Sequence, residues 1–292
     1  MLSFPLGARP RALTAAALVL VGSASVQVSA ALASSAFGSL GTLAVSGFRM
    51  TAAAVVLLAL TRPALRGRSR SAWAGVVLYG AAMAAMNVLF YAALDRIPLG
   101  VAVTLEFCGP LAVAAMASAG RARVLPFVAL AGVVLVVGTR EGGLDPLGVV
   151  LALGAAAAFG GYTVLAGRVG SESGGLGDLA LSVAVGALLL SPFQVAQAPA
   201  LEAAHLAPLV ASGLVGVALA FSLDFQAVRL AGTRVVGTLF AVDPAMGALV
   251  GAVALGDRLP PAGLGGITLV VLAGAGAVWS AGRRAAAAPP LD

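Results

Sequence analysis

The stretch PLGVAVTLEFCGPLAVA, residues 98–114, decides the fold. It is apolar enough to lie in a bilayer, yet it holds one carboxylate, Glu106, near its middle and a proline, Pro110, four residues later. A carboxylate at that depth is costly, so it faces a polar cavity or a partner and marks a substrate or proton path. Pro110 has no N–H, so the carbonyl of residue 106 loses its helical donor and the helix is expected to kink there. Bare backbone polarity at membrane depth is tolerated only beside protein or water. The stretch therefore predicts a polar site inside a bundle of membrane helices.

The rest of the chain agrees with that reading. Of its 292 residues 61% are hydrophobic and 10% charged, with mean hydropathy +1.06. Soluble domains carry about 25% charged residues, so this composition predicts an integral membrane protein. The 38 glycines, with many alanines, allow helices to approach closely. The net charge is +6 and every basic residue is arginine, but the arginines stand in short loops between apolar runs. That placement sets membrane topology and excludes nucleic acid as the partner. Cys108 is the only cysteine, which rules out an intrachain disulfide. His205, the only histidine, falls in an expected surface loop, so no metal site is expected. No cofactor is expected either.

Apolar runs of about 20 residues fall at 12–32, 38–60, 72–94, 98–117, 124–138, 146–166, 179–196, 206–228, 233–255 and 262–280. They predict an all-α protein with ten transmembrane helices. The first run has Arg9 and Arg11 in front of it, and Ala31-Leu32-Ala33 resembles a signal cleavage site. Its apolar core is longer than the about 7–15 residues of a signal peptide, so it reads as a span. Placing the N-terminus in the cytoplasm puts thirteen of the 17 arginines on that side; Arg96, Arg140 and Arg258 fall outside and Arg49 lies within a span. Both termini are then cytoplasmic.

A shift of 134 positions sets Thr104, Leu105 and Pro110 on Thr238, Leu239 and Pro244, and the first helix on the sixth. Each repeat, 12–138 and 146–280, then holds five helices, and 281–292 is a cytoplasmic tail. Five is odd, so the second repeat must be inverted relative to the first. Inverted repeats are the architecture of secondary transporters, with the site near the midplane.

Four charged residues fall inside the expected spans: Arg49, Glu106, Asp224 and Asp243. Glu106 and Asp243 lie mid-helix in equivalent helices, and Pro244 follows Asp243 directly as a second expected kink. Low dielectric disfavours the charged form of a carboxylate, which suits a group that binds and releases protons or receives a substrate ammonium. A structural alternative pairs Glu106 or Asp243 with Arg49 as counter-ion; binding of a substrate carboxylate is a further role for Arg49. Asp224 is expected near the cytoplasmic end of its helix. Gln27, Asn87, Tyr91, Tyr162 and Gln226 are polar groups that can line the cavity, with Asn87 and Tyr91 on one helical face. Gly247 and Gly251 form a small-residue packing pair. No nucleophile, base and orienting group stand at a catalytic spacing, so the chain is not read as an enzyme.

These residues resemble the EamA domain pair of the drug/metabolite transporter superfamily. The stretch 98–114, with Arg49 and Asn87-Val88-Leu89-Phe90-Tyr91 upstream, is similar to the threonine/homoserine exporter group. So are Gly237-Thr238-Leu239, Asp243-Pro244-Ala245 and Leu255-Gly256-Asp257, where that group tends to carry Glu in place of Asp243 and Asp257. The resemblance implies a multi-pass protein of a bacterial inner membrane that exports small amino acids by proton exchange. Its partners are then the lipid bilayer, protons and a small-molecule substrate; a different metabolite or a cationic drug is the alternative cargo.

Overall fold

The computed structural model describes residues 8–116, 124–138, 143–169, 176–220, 222–224, 226–227, 230 and 239–285. Residues 139–142, 170–175 and 231–238, the last with Gly237 and Thr238, and the side chain of Tyr162 lie outside the described residues.

Among the described residues every regular element is a helix. The helices are α1 Ala8–Ser34, α2 Phe37–Thr61, α3 Arg70–Leu94, α4 Leu99–Met116, α5 Leu125–Gly138, α6 Pro146–Val169, α7 Leu176–Leu189, α8 Ser191–Gln197, α9 Ala203–Gly213, α10 Asp243–Val250 and α11 Pro261–Ala285. Four helical stretches are long and apolar enough to cross a membrane: Leu13–Ser34, Phe37–Thr61, Arg70–Leu94 and Ala203–Asp224. Leu176–Leu189 and Ser191–Ala200 together make a fifth, bent by 51°. Five shorter apolar helices follow: Leu99–Val113, Phe127–Val136, Pro146–Gly161, Phe240–Leu255 and Pro261–Gly276.

Local chemistry explains the boundaries. Ser69 caps α3 by accepting the Ala72 N–H at 3.0 Å. α2 ends at Arg62, whose left-handed backbone returns its N–H to the Leu58 carbonyl, and Pro63 stops the helix from continuing. Gly41 breaks α2 near its start with φ +72°, a conformation open to glycine because it has no Cβ. Leu99 opens α4 by donating its N–H to Asp257 Oδ2 at 2.8 Å, so a distant loop caps this helix. The single helix expected over 179–196 is two helices, α7 and α8. Pro192, in the first turn of α8, cannot donate to the preceding turn and disfavours helical backbone at Ser191. α9 passes into a π-helical segment, Leu214–Leu219. His205, expected in a loop, stands in the first turn of α9 and accepts the Glu202 N–H at 3.1 Å as part of a capping box.

Small residues hold the bundle together. α3 packs on α6 and α7, α4 on α6 and α10, α5 on α11, α2 on α7 and α9, and α1 on α9 and α10. Gly109 of α4 lies directly against the Ala156 carbonyl of α6, so any side chain there would force the helices apart. The main core gathers Phe37, Leu40, Phe90, Tyr91, Leu99, Val101 and Leu105 with Ala248 and Ile267. Large apolar side chains such as Leu60, Phe127, Leu188 and Val253 point outward instead. That is the inverse of a water-soluble surface and fits a lipid-facing one.

Among the described residues, Arg68–Asp178 and Arg96–Asp145 ion pairs join distant parts of the chain. Arg68 meets Asp178 at 2.6 Å with both side chains nearly buried. Arg96 meets Asp145 at 2.9 Å in the open. There the hydrogen bond from Arg96 holds the Asp145 carboxyl below its ordinary range.

Candidate functional site

The register of α4 against α10 places the acids. Gly251, in the π-helical turn that follows α10, would set a Cβ 3.2 Å from Leu99; Gly100 would meet Ala248 at 2.7 Å, and Gly247 would meet Val103 at 2.8 Å. As the number rises along α4 it falls along α10, so the two run antiparallel. One further turn brings Glu106 level with Asp243, the first residue of α10. The two carboxylates are within electrostatic reach of each other, and Asp224 is likewise within reach of Asp243. Asp224, expected near a helix end, reaches inward because Gly22 of α1 leaves it room: a Cβ on Gly22 would lie 2.9 Å from Asp224 Oδ1.

All three acids are half-buried, and each keeps one carboxylate oxygen buried without a hydrogen-bond partner. Gln27 Oε1 and Ser23 Oγ, four residues apart on α1, are also buried and unpartnered. The Ser23 hydroxyl lies beside Asp243 without the geometry of a hydrogen bond to it. Buried polar atoms are nearly always satisfied, and each exception needs an explanation. Here Glu106, Asp224 and Ser23 all lie within reach of Asp243, an arrangement that suits a ligand, protons or water. Pro110 lies within α4, where the Glu106 carbonyl lacks its helical donor. Pro244 stands in the first turn of α10, just after a 3-10 turn over Phe240–Val242, where its missing N–H costs nothing.

A second polar cluster surrounds Arg49, at the midpoint of α2. Its Nε donates to Ser212 Oγ at 3.1 Å, Nη1 to Asn87 Oδ1 at 2.6 Å and Nη2 to Ser29 Oγ at 2.6 Å. Its guanidinium carbon lies 4.9 Å from the centre of the Tyr91 ring. Ser29 and Ser212 are locked together: Ser29 Oγ donates to the Ser212 carbonyl and Ser212 Oγ to the Ser29 carbonyl. Asn87 Nδ2 donates to the Met83 carbonyl, which aims Oδ1 at the guanidinium. The expectation that Arg49 is counter-ion to Glu106 or Asp243 is corrected. Arg49 makes no ion pair among the described residues, because neutral oxygens on α1, α3 and α9 absorb its donors. Tyr91 is within electrostatic reach of both Arg49 and Glu106 and so ties the two clusters together.

Of the residues expected at the site, Glu106 meets Asp243, and Arg49 meets Asn87 and Tyr91. Gln27 lies on α1 with Ser23, whereas Gln226 is exposed. Ser23, Ser29 and Ser212 were not singled out from the sequence. Their one signal is a hydroxyl inside an otherwise apolar run.

Residues 146–279 match the EamA-like transporter family. The threonine/homoserine exporter RhtA of Escherichia coli K12 is 34% identical over 267 residues, covering 89% of each chain. The protein of the same name from Salmonella typhimurium LT2 is 33% identical over 250 residues, covering 83% of each. A crystal structure 22% identical in sequence superposes with a TM-score of 0.65 over 92% of this chain and 98% of its own, which speaks for the fold alone. The chain belongs to the EamA-like transporter family of the drug/metabolite transporter superfamily, in the group of RhtA-type exporters.

Proposed function

We propose that this protein exports small amino acids of the threonine and homoserine type across a bacterial inner membrane, in exchange for protons. The observation that carries the reading is the pair of carboxylates, Glu106 and Asp243, within electrostatic reach of each other in the helix bundle and each with a buried, unpartnered oxygen. Such a pair can hold a proton or an ammonium group but not leave both acids charged and empty without cost. Glu106 and Asp243 share that task, and Gln27, Asn87 and Tyr91 line the cavity beside them. The relatives named as threonine/homoserine exporters supply the substrate class.

In this reading the five long or bent apolar spans and the five shorter apolar helices make ten crossings in two inverted repeats, with both termini in the cytoplasm. One contact supports the repeat with particular force. Gly132 approaches Gly266, Leu269 and Val270, while Gly266 approaches Gly132, Leu135 and Val136. A shift of 134 positions exchanges these two sets residue for residue, as a pseudo-two-fold axis between α5 and α11 would. The packing of α3 on α6 likewise mirrors that of α1 on α9. Alternating access then follows from one repeat rocking against the other about the acids.

The test is flux of radiolabelled threonine and homoserine in proteoliposomes of the purified protein, with and without an imposed pH gradient. Gradient-driven movement of either amino acid is expected. No flux of either, in vesicles that hold folded protein, would retain the fold and discard the substrate. Flux of organic cations in their place would assign the acids to a cationic cargo.

A further inference from the structure

Arg49 is a buried cation, 4% exposed, at the middle of a membrane helix. A charge there is normally offset by an opposite one. This molecule holds three acids in the neighbouring cluster, yet Arg49 makes no ion pair among the described residues and is held by neutral oxygens and the Tyr91 ring. Neutral bonds fix its orientation and leave its charge uncompensated. They also leave capacity: a guanidinium has five N–H donors, and the named bonds use three.

The surroundings are built around that group. The π-helical segment Leu214–Leu219 passes beside it, and Gly216 in this segment gives it space. A Cβ on Gly216 would lie 2.6 Å from Arg49 Nη2 and would collide with Ser29. π-helical turns recur at functional sites. Tyr91 is 1% exposed, and its hydroxyl lies beside those of Ser29 and Ser212 without the geometry of a hydrogen bond to either. A cation with spare donors and an orphan phenol thus stand together, with Glu106 within electrostatic reach of the phenol.

We infer that Arg49, with the Tyr91 hydroxyl beside it, receives the carboxylate of the exported amino acid. This rests on the export reading and deepens it: the substrate is a zwitterion, with its ammonium on the Glu106–Asp243 side and its carboxylate on the Arg49 side. Arg49 is then the residue that separates amino acids from plain amines. A bolt that only joined four helices would need no charge.

The experiment compares L-threonine with threoninol, the amino alcohol that lacks the carboxylate, as competitors for labelled threonine exchange in proteoliposomes. The wild-type protein should bind threoninol at least about tenfold more weakly, the loss expected when a charge-assisted hydrogen bond is removed. Arg49→Gln should raise the KM for threonine about tenfold to a hundredfold and leave the affinity for threoninol unchanged. Asn87→Asp covers the case in which that variant does not fold. It places an internal carboxylate on Arg49 and should weaken threonine binding to a similar extent while the protein stays folded. An unchanged KM for threonine in either folded variant, or equal wild-type affinity for threonine and threoninol, overturns the carboxylate site and leaves the export reading standing. Absence of any threonine or homoserine exchange by folded wild-type protein overturns both.

Discussion

At the scale of the residue, Glu106 matters because its carboxylate lies within electrostatic reach of a second one and lacks a partner for a buried oxygen. Replacing it with Gln keeps the shape and removes the titrating group. Glu106→Gln is expected to abolish stimulation of threonine flux by a pH gradient, while folding stability changes by less than about 1 kcal/mol. Flux at several pH values on matched amounts of protein checks it; normal transport with an unchanged pH dependence would show that Glu106 has no such role. The acids were legible in the sequence, since a charge within an apolar run of about 20 residues is conspicuous. The partners of Arg49 were not. Ser29 and Ser212 stand 183 positions apart, and only folding brings their hydroxyls to one guanidinium. The inward reach of Asp224, the last residue of the Ala203–Asp224 span, was not legible for a related reason. Distance along a helix gives depth, but it was the absence of a side chain at Gly22, on another helix, that turned the carboxylate toward the site.

At the scale of the element, hydropathy located the helices because a bilayer demands long apolar runs whose backbone bonds are made internally. It did not locate their irregularities. The bend between α7 and α8 had a signal in Ser191-Pro192, but the apolar run continues through it. The π-helical segment at Leu214–Leu219 has none beyond Gly216, because the Arg49 it makes room for stands on another helix. Helix contacts themselves rest on glycine. A Cβ on Gly132 would lie 2.6 Å from the Gly266 carbonyl oxygen, and one on Gly266 would lie 2.5 Å from that of Gly132. Each Gly→Ala change should therefore destabilise the protein by about 1–3 kcal/mol through overpacking. The double change should cost less than the sum, because both strain the same contact and the first already parts the helices. Thermal unfolding in detergent measures this; full additivity or unchanged melting would contradict the close α5–α11 approach.

At the scale of the whole molecule, packing brings two polar clusters together from helices scattered along the chain. α1, α2, α3 and α9 build the Arg49 cluster; the register of α4 on α10 sets Glu106 level with Asp243. Gly132, Leu135 and Val136 exchange with Gly266, Leu269 and Val270 under the same shift that superimposes Pro110 on Pro244, which ties the sequence repeat to the packing. The central claim is that movement of an amino acid and of a proton in opposite directions is one process. It is tested most directly by loading proteoliposomes with threonine and a pH-sensitive dye, diluting them into threonine-free buffer and following the internal pH. Outward threonine flow should draw protons inward and acidify the lumen. An amino acid that leaves at full rate while the lumen holds its pH would contradict the account.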